Sequence, residues 1–308
     1  MTAARPHALV FPGQGSQHSG MLDRIPNVER LDRLLDAAEA LSGLQLRTTL
    51  REGHAERLAD TQVAQPLLYL ADWAWGRALL DAGSRPMIVA GHSLGEFAAL
   101  AIAGVVSVEA GLELVTTRAR LMGEAARAAH GSMAAVLGSD GPTVARLIDG
   151  MSGVWIANDN APGQIVVSGT FEGLEAATAG LLEAGVRKVV SLNVAGPFHS
   201  PLMTGAATAF GTLLARATFS DAVIPVIQNT DPTPVTDAAT IRQRLLEQIT
   251  SPVRWTETMQ ALLVAGVEVV IECGPGSVLA GLTRRVDGLT ALSAEDAGLD
   301  RVMEVLAA

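Results

Sequence analysis

The chain has 308 residues, 49% of them hydrophobic and 18% charged, with a net charge of −10 and one cysteine, Cys273. That is enough apolar sequence for a large core, and the length suggests two domains or one with an insertion. The acidic balance with no basic run excludes a nucleic-acid binder, and the lone cysteine excludes an internal disulfide and fits a reducing, cytoplasmic setting. Met1–His7 has no long apolar segment, and no apolar run nears the roughly 18 residues that would cross a bilayer, so no membrane partner is expected.

Ala8–Phe11 reads as a short strand that ends in the loop Pro12-Gly13-Gln14-Gly15-Ser16-Gln17. From Pro26 to Ala55 the pattern predicts helix, with Leu31, Leu34, Leu35 and Ala38 at three-to-four spacing. Gln62–Asp81 continues as a long apolar helix, with Pro66 expected in the first turn, where a missing N–H costs least. A strand at 86–90 leads through Gly91-His92-Ser93-Leu94-Gly95 into a helix ending at Ala103. A second helix spans Val108–Ala129. The texture then changes. Met133–Leu137, Val154–Asn158, Gln164–Ser168 and Arg187–Asn193 read as strands, and Thr143–Asp149 and Phe171–Ala184 as helices. Turn-forming residues between Asp159 and Gly163 separate the middle two strands. This β-α-β-β-α-β order is that of a ferredoxin-like unit, expected as an insertion over 131–196. The surrounding α/β pattern, 1–130 and 197–308, resumes near Pro197. It adds helices Pro201–Ala215, Thr240–Gln248, Trp255–Ala265 and Ser277–Arg285 and strands Val223–Gln228 and Val267–Glu272.

The chemistry concentrates at the G-x-S-x-G turn. A buried strand feeding such a turn, with a helix after it, lifts the serine hydroxyl over the sheet edge and marks Ser93 as a nucleophile rather than a capping serine. A nucleophile needs a base. His92 is adjacent but on the opposite side of the turn; His7, His54 and His130 sit in polar or terminal contexts. His199, at a strand-to-helix junction, is modestly favoured over a solvent-exposed histidine beside a cap. The Gly13–Gln17 loop lacks the third glycine of a dinucleotide fingerprint, because position 18 is His18, and no phosphate-loop motif occurs. It fits better as a donor of a backbone N–H to an oxyanion, paired with the N–H of Leu94. No histidine and cysteine cluster has metal spacing, so no metal is expected. Arg118 is open to two readings: a surface helix arginine, or a buried guanidinium holding a substrate carboxylate.

Several motifs then occur together and in order: FPGQGSQ, TQxxQPxLY, GHSLGEFAAL, FHSPLM, SPVRW and ECGPGSVLAGL. As a set, across essentially the whole chain, they resemble the malonyl-CoA:acyl-carrier-protein transacylases, including stand-alone acyltransferases of polyketide synthesis. The resemblance implies an α/β-hydrolase-like large domain with an inserted ferredoxin-like small subdomain. It also implies transfer of malonyl from coenzyme A to a carrier protein. Ser93 would be acylated and His199 the base. Gln14 and Leu94 would supply the oxyanion N–H groups, and Arg118 would bind the malonyl carboxylate. The main-chain carbonyl of Gln248 would hold the base in place of a triad acid. His92 and Phe198 are expected beside the substrate, where Phe198 would crowd an α-methyl branch. Arg284 and Arg285 match basic positions near the site mouth and could dock an acidic carrier, or simply complement a helix end.

No cofactor is expected, coenzyme A thioester being a substrate, and the protein is expected to be a monomer. Phe97, where many members have tyrosine, and Asn160-Ala161-Pro162 depart from the common pattern. The rival readings are a polyketide-pathway acyltransferase with a specialised acyl group, a serine acyl hydrolase, and a catalytically dead docking scaffold.

Overall fold

The computed structural model describes residues 5–26 and 28–308, apart from the side chains of Val28 and Glu29. Met1–Ala4 and Asn27, which the sequence reading included, lie outside the described residues. Ten strands occur among them: β1 (His7–Phe11), β2 (Ile88–Gly91), β3 (Gly131–Leu137), β4 (Val154–Ala161), β5 (Gln164–Thr170), β6 (Lys188–Ser191), β7 (Val226–Ile227), β8 (Val253–Arg254), β9 (Val269–Glu272) and β10 (Thr290–Ser293). They form two five-stranded sheets. One has the order β10-β9-β1-β2-β7, with every pairing parallel. The other has the order β6-β3-β5-β4-β8, antiparallel except for the β4–β8 pair.

The parallel sheet is covered on both faces, as parallel sheets require. Leu9 and Phe11 pack into one apolar cluster and Ala8 and Val10 into another. Period-two alternation therefore places apolar residues on both sides of β1. Helix Thr61–Asp81 runs through the larger cluster and is buried along most of its length. Asp60 caps it by accepting from the Gln62 N–H. Pro66 lies inside this helix rather than in its first turn. Its ring removes one helical hydrogen bond, tolerated where surrounding apolar side chains fix the backbone. The expected helix over Pro26–Ala55 is broken at Gly43, whose φ of 69° ends the first segment, Val28–Ser42.

The expected architecture, an α/β-hydrolase-like domain carrying a ferredoxin-like insertion, is corrected by the sheet topology. The second sheet is not closed within 131–196. Its fifth strand, β8, comes from far along the chain, and pairs Asn158 with Val253 and Asp159 with Arg254. The physical reason is the open edge of β4, whose N–H and C=O groups need a partner. The main sheet is a five-stranded, wholly parallel one, completed by β10 after the last strand the periodicity predicts. The protein is thus an α/β fold built on one parallel and one mixed sheet. Among the described residues no helix is long and apolar enough to cross a membrane.

Candidate active site

The site forms where β1 and β2 end side by side. Their register pairs Phe11 with Gly91, which brings the Gly13–Gln14 loop against the His92–Leu94 turn. Ser93 has a φ of 50°, a left-handed backbone that costs a non-glycine residue about 1 kcal/mol or more. The flanking glycines are dictated by close approach. A Cβ on Gly91 would overlap the Gly95 backbone, and a Cβ on Gly95 would overlap the Phe11 carbonyl. The turn then runs straight into helix Gly95–Ile102.

His199 comes to this turn from the segment after β6, also with a positive φ, 53°. Its Nε2 lies 2.7 Å from Ser93 Oγ. Its Nδ1 faces two main-chain carbonyl oxygens, those of Gln248 at 2.9 Å and Ser251 at 3.1 Å. Carbonyls only accept, so Nδ1 carries the proton and Nε2 is free to accept from the serine hydroxyl. Burial, and then the Arg118 cation, push the His199 pKa down to about 3. The imidazole is therefore neutral at any working pH, the state a base needs.

Arg118 resolves to the buried reading: it is 1% exposed, on the inner face of helix Val108–Ala128. It donates to Gln65 Oε1 at 2.9 Å, Ser93 Oγ at 3.1 Å and Gln248 Oε1 at 3.1 Å, and its guanidinium carbon sits 5.5 Å from the Phe97 ring centre. Among the described residues no carboxylate comes within 4.0 Å of it. Burial lowers its pKa to about 10, offset in part by the more distant Glu96 carboxylate. A buried cation matched only by amides and hydroxyls is a standing site for an anion.

Ser93, His199 and Arg118 line one cavity of about 160 Å³ with Gln14, His92, Leu94 and Phe198. Among the described residues the N–H groups of Gln14 and Leu94 donate to no protein acceptor. The geometry can remove a proton from a serine, hold an anion beside it and offer backbone donors to a developing oxyanion. His92 turns away from the hydroxyl: its Nε2 meets Asn160 Oδ1 at 2.8 Å, and burial lowers its pKa. Among the described residues no group of three or more histidine, cysteine or acidic side chains could hold a metal ion.

Residues 8–297 match the acyl transferase domain family. The chain is 40% identical over 285 residues to the malonyl CoA-acyl carrier protein transacylase of Bacillus subtilis (strain 168), covering 91% of this chain and 90% of that one. This chain is a member of the malonyl-CoA:acyl-carrier-protein transacylase family. The transacylase from Coxiella burnetii superposes with a TM-score of 0.92 at 33% identity, covering 99% of this chain and 98% of that one. A malonyl-transacylase solved in complex with a type II polyketide synthase acyl-carrier protein superposes with a TM-score of 0.90 at 35% identity, covering 98% and 99%.

Sequence reasoning about this transacylase missed the amides and the acid behind the turn. Gln65 and the Gln248 side chain hold Arg118, and Gln248 Nε2 also donates to the Ser93 carbonyl at 2.9 Å. Asn229 accepts from the Ser93 N–H at 2.7 Å, and buried Glu96 binds Gln228 and Asn229. Gln65 and Glu96 stood inside quoted motifs; Asn229 carried no local signal. Arg284 and Arg285 lie apart from the serine, exposed at the end of helix Val278–Thr283. That helix contributes Leu279 and Leu282 to a second cavity of about 290 Å³ that shares Gln14 and His92 with the first.

Proposed function

We propose that this transacylase moves a malonyl group from coenzyme A to the phosphopantetheine thiol of an acyl carrier protein. Ser93 is the acylated nucleophile and His199 its base. The observation that carries this reading is one serine hydroxyl within hydrogen-bond reach of both a neutral imidazole and a buried guanidinium that lacks a carboxylate partner.

The malonyl carboxylate binds Arg118, which places the thioester carbonyl over Ser93. His199 Nε2 takes the hydroxyl proton as Oγ attacks the carbonyl carbon. The N–H groups of Leu94 and Gln14 receive the oxyanion, a contribution worth about 3–4 kcal/mol per donor where such donors have been removed. Collapse breaks the C–S bond, and His199 returns the proton to the departing coenzyme A thiolate. The carrier thiol then gives its proton to His199 and attacks the ester carbonyl; the Oγ–C bond breaks, His199 returns the proton to Ser93 Oγ, and the carrier leaves with the acyl group. The Gln248 carbonyl orients the imidazole without neutralising the imidazolium as a carboxylate would. That suits two thiol partners, because a thiol needs less help to lose its proton than water does.

Phe198 and His92 border the acyl group. The exposed pair Arg284 and Arg285 offers an acidic carrier a local positive surface on a chain of net charge −10. We take the enzyme to work in the cytoplasm as a monomer, without nucleic-acid or membrane partners. The test is to mix enzyme, malonyl-CoA and holo carrier protein and weigh the carrier. A carrier heavier by one malonyl group supports the reading; an unmodified carrier with free malonate released would overturn it in favour of hydrolysis.

A further inference from the structure

The turn that presents Ser93 is bridged across both of its flanks, Gly91 and Ser93, by the side chain of Asn229. Strand β7 pairs with β2 through Val89–Val226 and Ala90–Ile227, and the ladder stops there. The next residues, Gln228 and Asn229, lie alongside Gly91–Ser93. Asn229 is 1% exposed and continues the ladder with its side-chain amide. Its Oδ1 accepts from the Ser93 N–H at 2.7 Å, and its Nδ2 donates to the Gly91 carbonyl at 2.6 Å. Its main chain is equally committed: the N–H donates to Glu96 Oε2 at 2.8 Å, and the carbonyl accepts from the Arg254 N–H at 3.1 Å. Glu96, fully buried in the first turn of the following helix, accepts from Gln228 Nε2 at 3.0 Å through its other oxygen.

Ser93 and Glu96 have the spacing of a capping box, in which the acid would reach back to the serine N–H. Here Asn229 takes that N–H instead, and the acid locks Asn229. We infer that Asn229, fixed by Glu96, is the positioning residue of the nucleophile. It bridges the residues on either side of His92 and so stabilises the left-handed backbone at Ser93. That backbone aims Oγ at His199 and sets where the next N–H, that of Leu94, points. The role demands one acceptor and one donor held apart on the same short side chain, which the neutral asparagine amide supplies at every pH. The inference rests on Ser93 being the acylated residue.

The test is single-turnover acylation by malonyl-CoA, followed by intact mass, with the malonyl-CoA dissociation constant measured in parallel. Asn229→Ala should slow acylation by about 10²-fold, as sub-ångström to ångström misplacement of a nucleophile does. Affinity should change by less than about threefold, because Arg118 keeps its bonds to Gln65 and Gln248. Asn229→Asp keeps the acceptor but loses the donor, and sets a second carboxylate against Glu96, with Arg118 beyond Glu96 and Arg254 on β8. It should be slow near neutral pH and recover as pH falls and the new carboxyl protonates to become a donor again. This near-isosteric variant decides the matter should the alanine variant not fold. Acylation within about threefold of wild type, affinity lost in step with rate, or no acid recovery of Asn229→Asp would each overturn the inference. A wild-type enzyme that takes up no malonyl in the same experiment would refute the functional reading instead.

Discussion

Replacing Arg118 with alanine separates the recognition of malonyl from the chemistry of acylation. The guanidinium is buried and already presents donors to Gln65, Gln248 and Ser93. A malonyl carboxylate gains bonds from it that an acetyl group cannot make. Each hydrogen bond to a charged group is worth about 1.5–3 kcal/mol. A two-pronged contact is therefore worth roughly 3 kcal/mol or more, on the order of 10²-fold at 1.4 kcal/mol per decade. Arg118→Ala should lower kcat/KM for malonyl-CoA by about that factor and leave acetyl-CoA much less affected. Arg118→Lys should fall between, since an ammonium keeps the charge but not the fork. The alanine variant leaves the Gln65 and Gln248 acceptors unpaired, at about 1–3 kcal/mol each, but also removes a buried charge. Its stability is to be checked by urea denaturation before the kinetics are read. The assay is competition between malonyl-CoA and acetyl-CoA for Ser93, read by intact mass. A variant that keeps the wild-type preference for malonyl would refute this assignment.

His199 has its pKa lowered to about 3 from an ordinary 6.5. The unfolded chain takes up a proton near pH 6.5 while the native state does not, so its contribution to stability is complete above that pH and is lost as pH falls towards 3. His199→Gln should flatten the acid side of a plot of urea midpoint against pH, and an unchanged slope would contradict the assignment. Buried Glu272, raised to about 7, has the opposite sign: its contribution is complete below the ordinary carboxylate value and is lost as pH rises through about 7. Glu272→Gln should therefore flatten the decline on that side in the same measurement. Gly95→Ala would drive a methyl into the Phe11 carbonyl and should cost about 3 kcal/mol or more in urea unfolding, whereas the open Gly205 should tolerate alanine. Charge reversal at Arg284 and Arg285 should raise the KM for carrier and leave acylation by malonyl-CoA unchanged; unaltered carrier kinetics would remove that surface from the account.

What was legible in the sequence was whatever is local. The strand, the turn and the helix around Ser93 lie within about twenty residues, and their glycines answer to contacts a reader of G-x-S-x-G expects. His199 was legible as a junction residue, and its link to the Gln248 carbonyl only through the family resemblance. The burial of Arg118 was not legible, because helix spacing does not say which neighbour covers a face. Asn229 lay hidden for the same reason. Its partner Ser93 is 136 positions away, and strand β7, which delivers it, is only two residues long. The fold was misread at the same kind of point. A β-α-β-β-α-β order is written along the chain, but the strand that completes its sheet is the dipeptide Val253-Arg254, too short to have a period. Edge strand β10 escaped likewise, being four residues of which only Ser293 is buried, paired only with β9.

The central claim is that Ser93 carries malonyl between two thiols. It is tested most directly by incubating wild type and Ser93→Ala with malonyl-CoA, weighing the intact proteins and mapping the adduct by peptide digestion. The account predicts one malonyl group on the Ser93 peptide of the wild type, discharged on adding holo carrier protein, and none on the variant. A malonyl group on any other residue, or an equal adduct on Ser93→Ala, would contradict it.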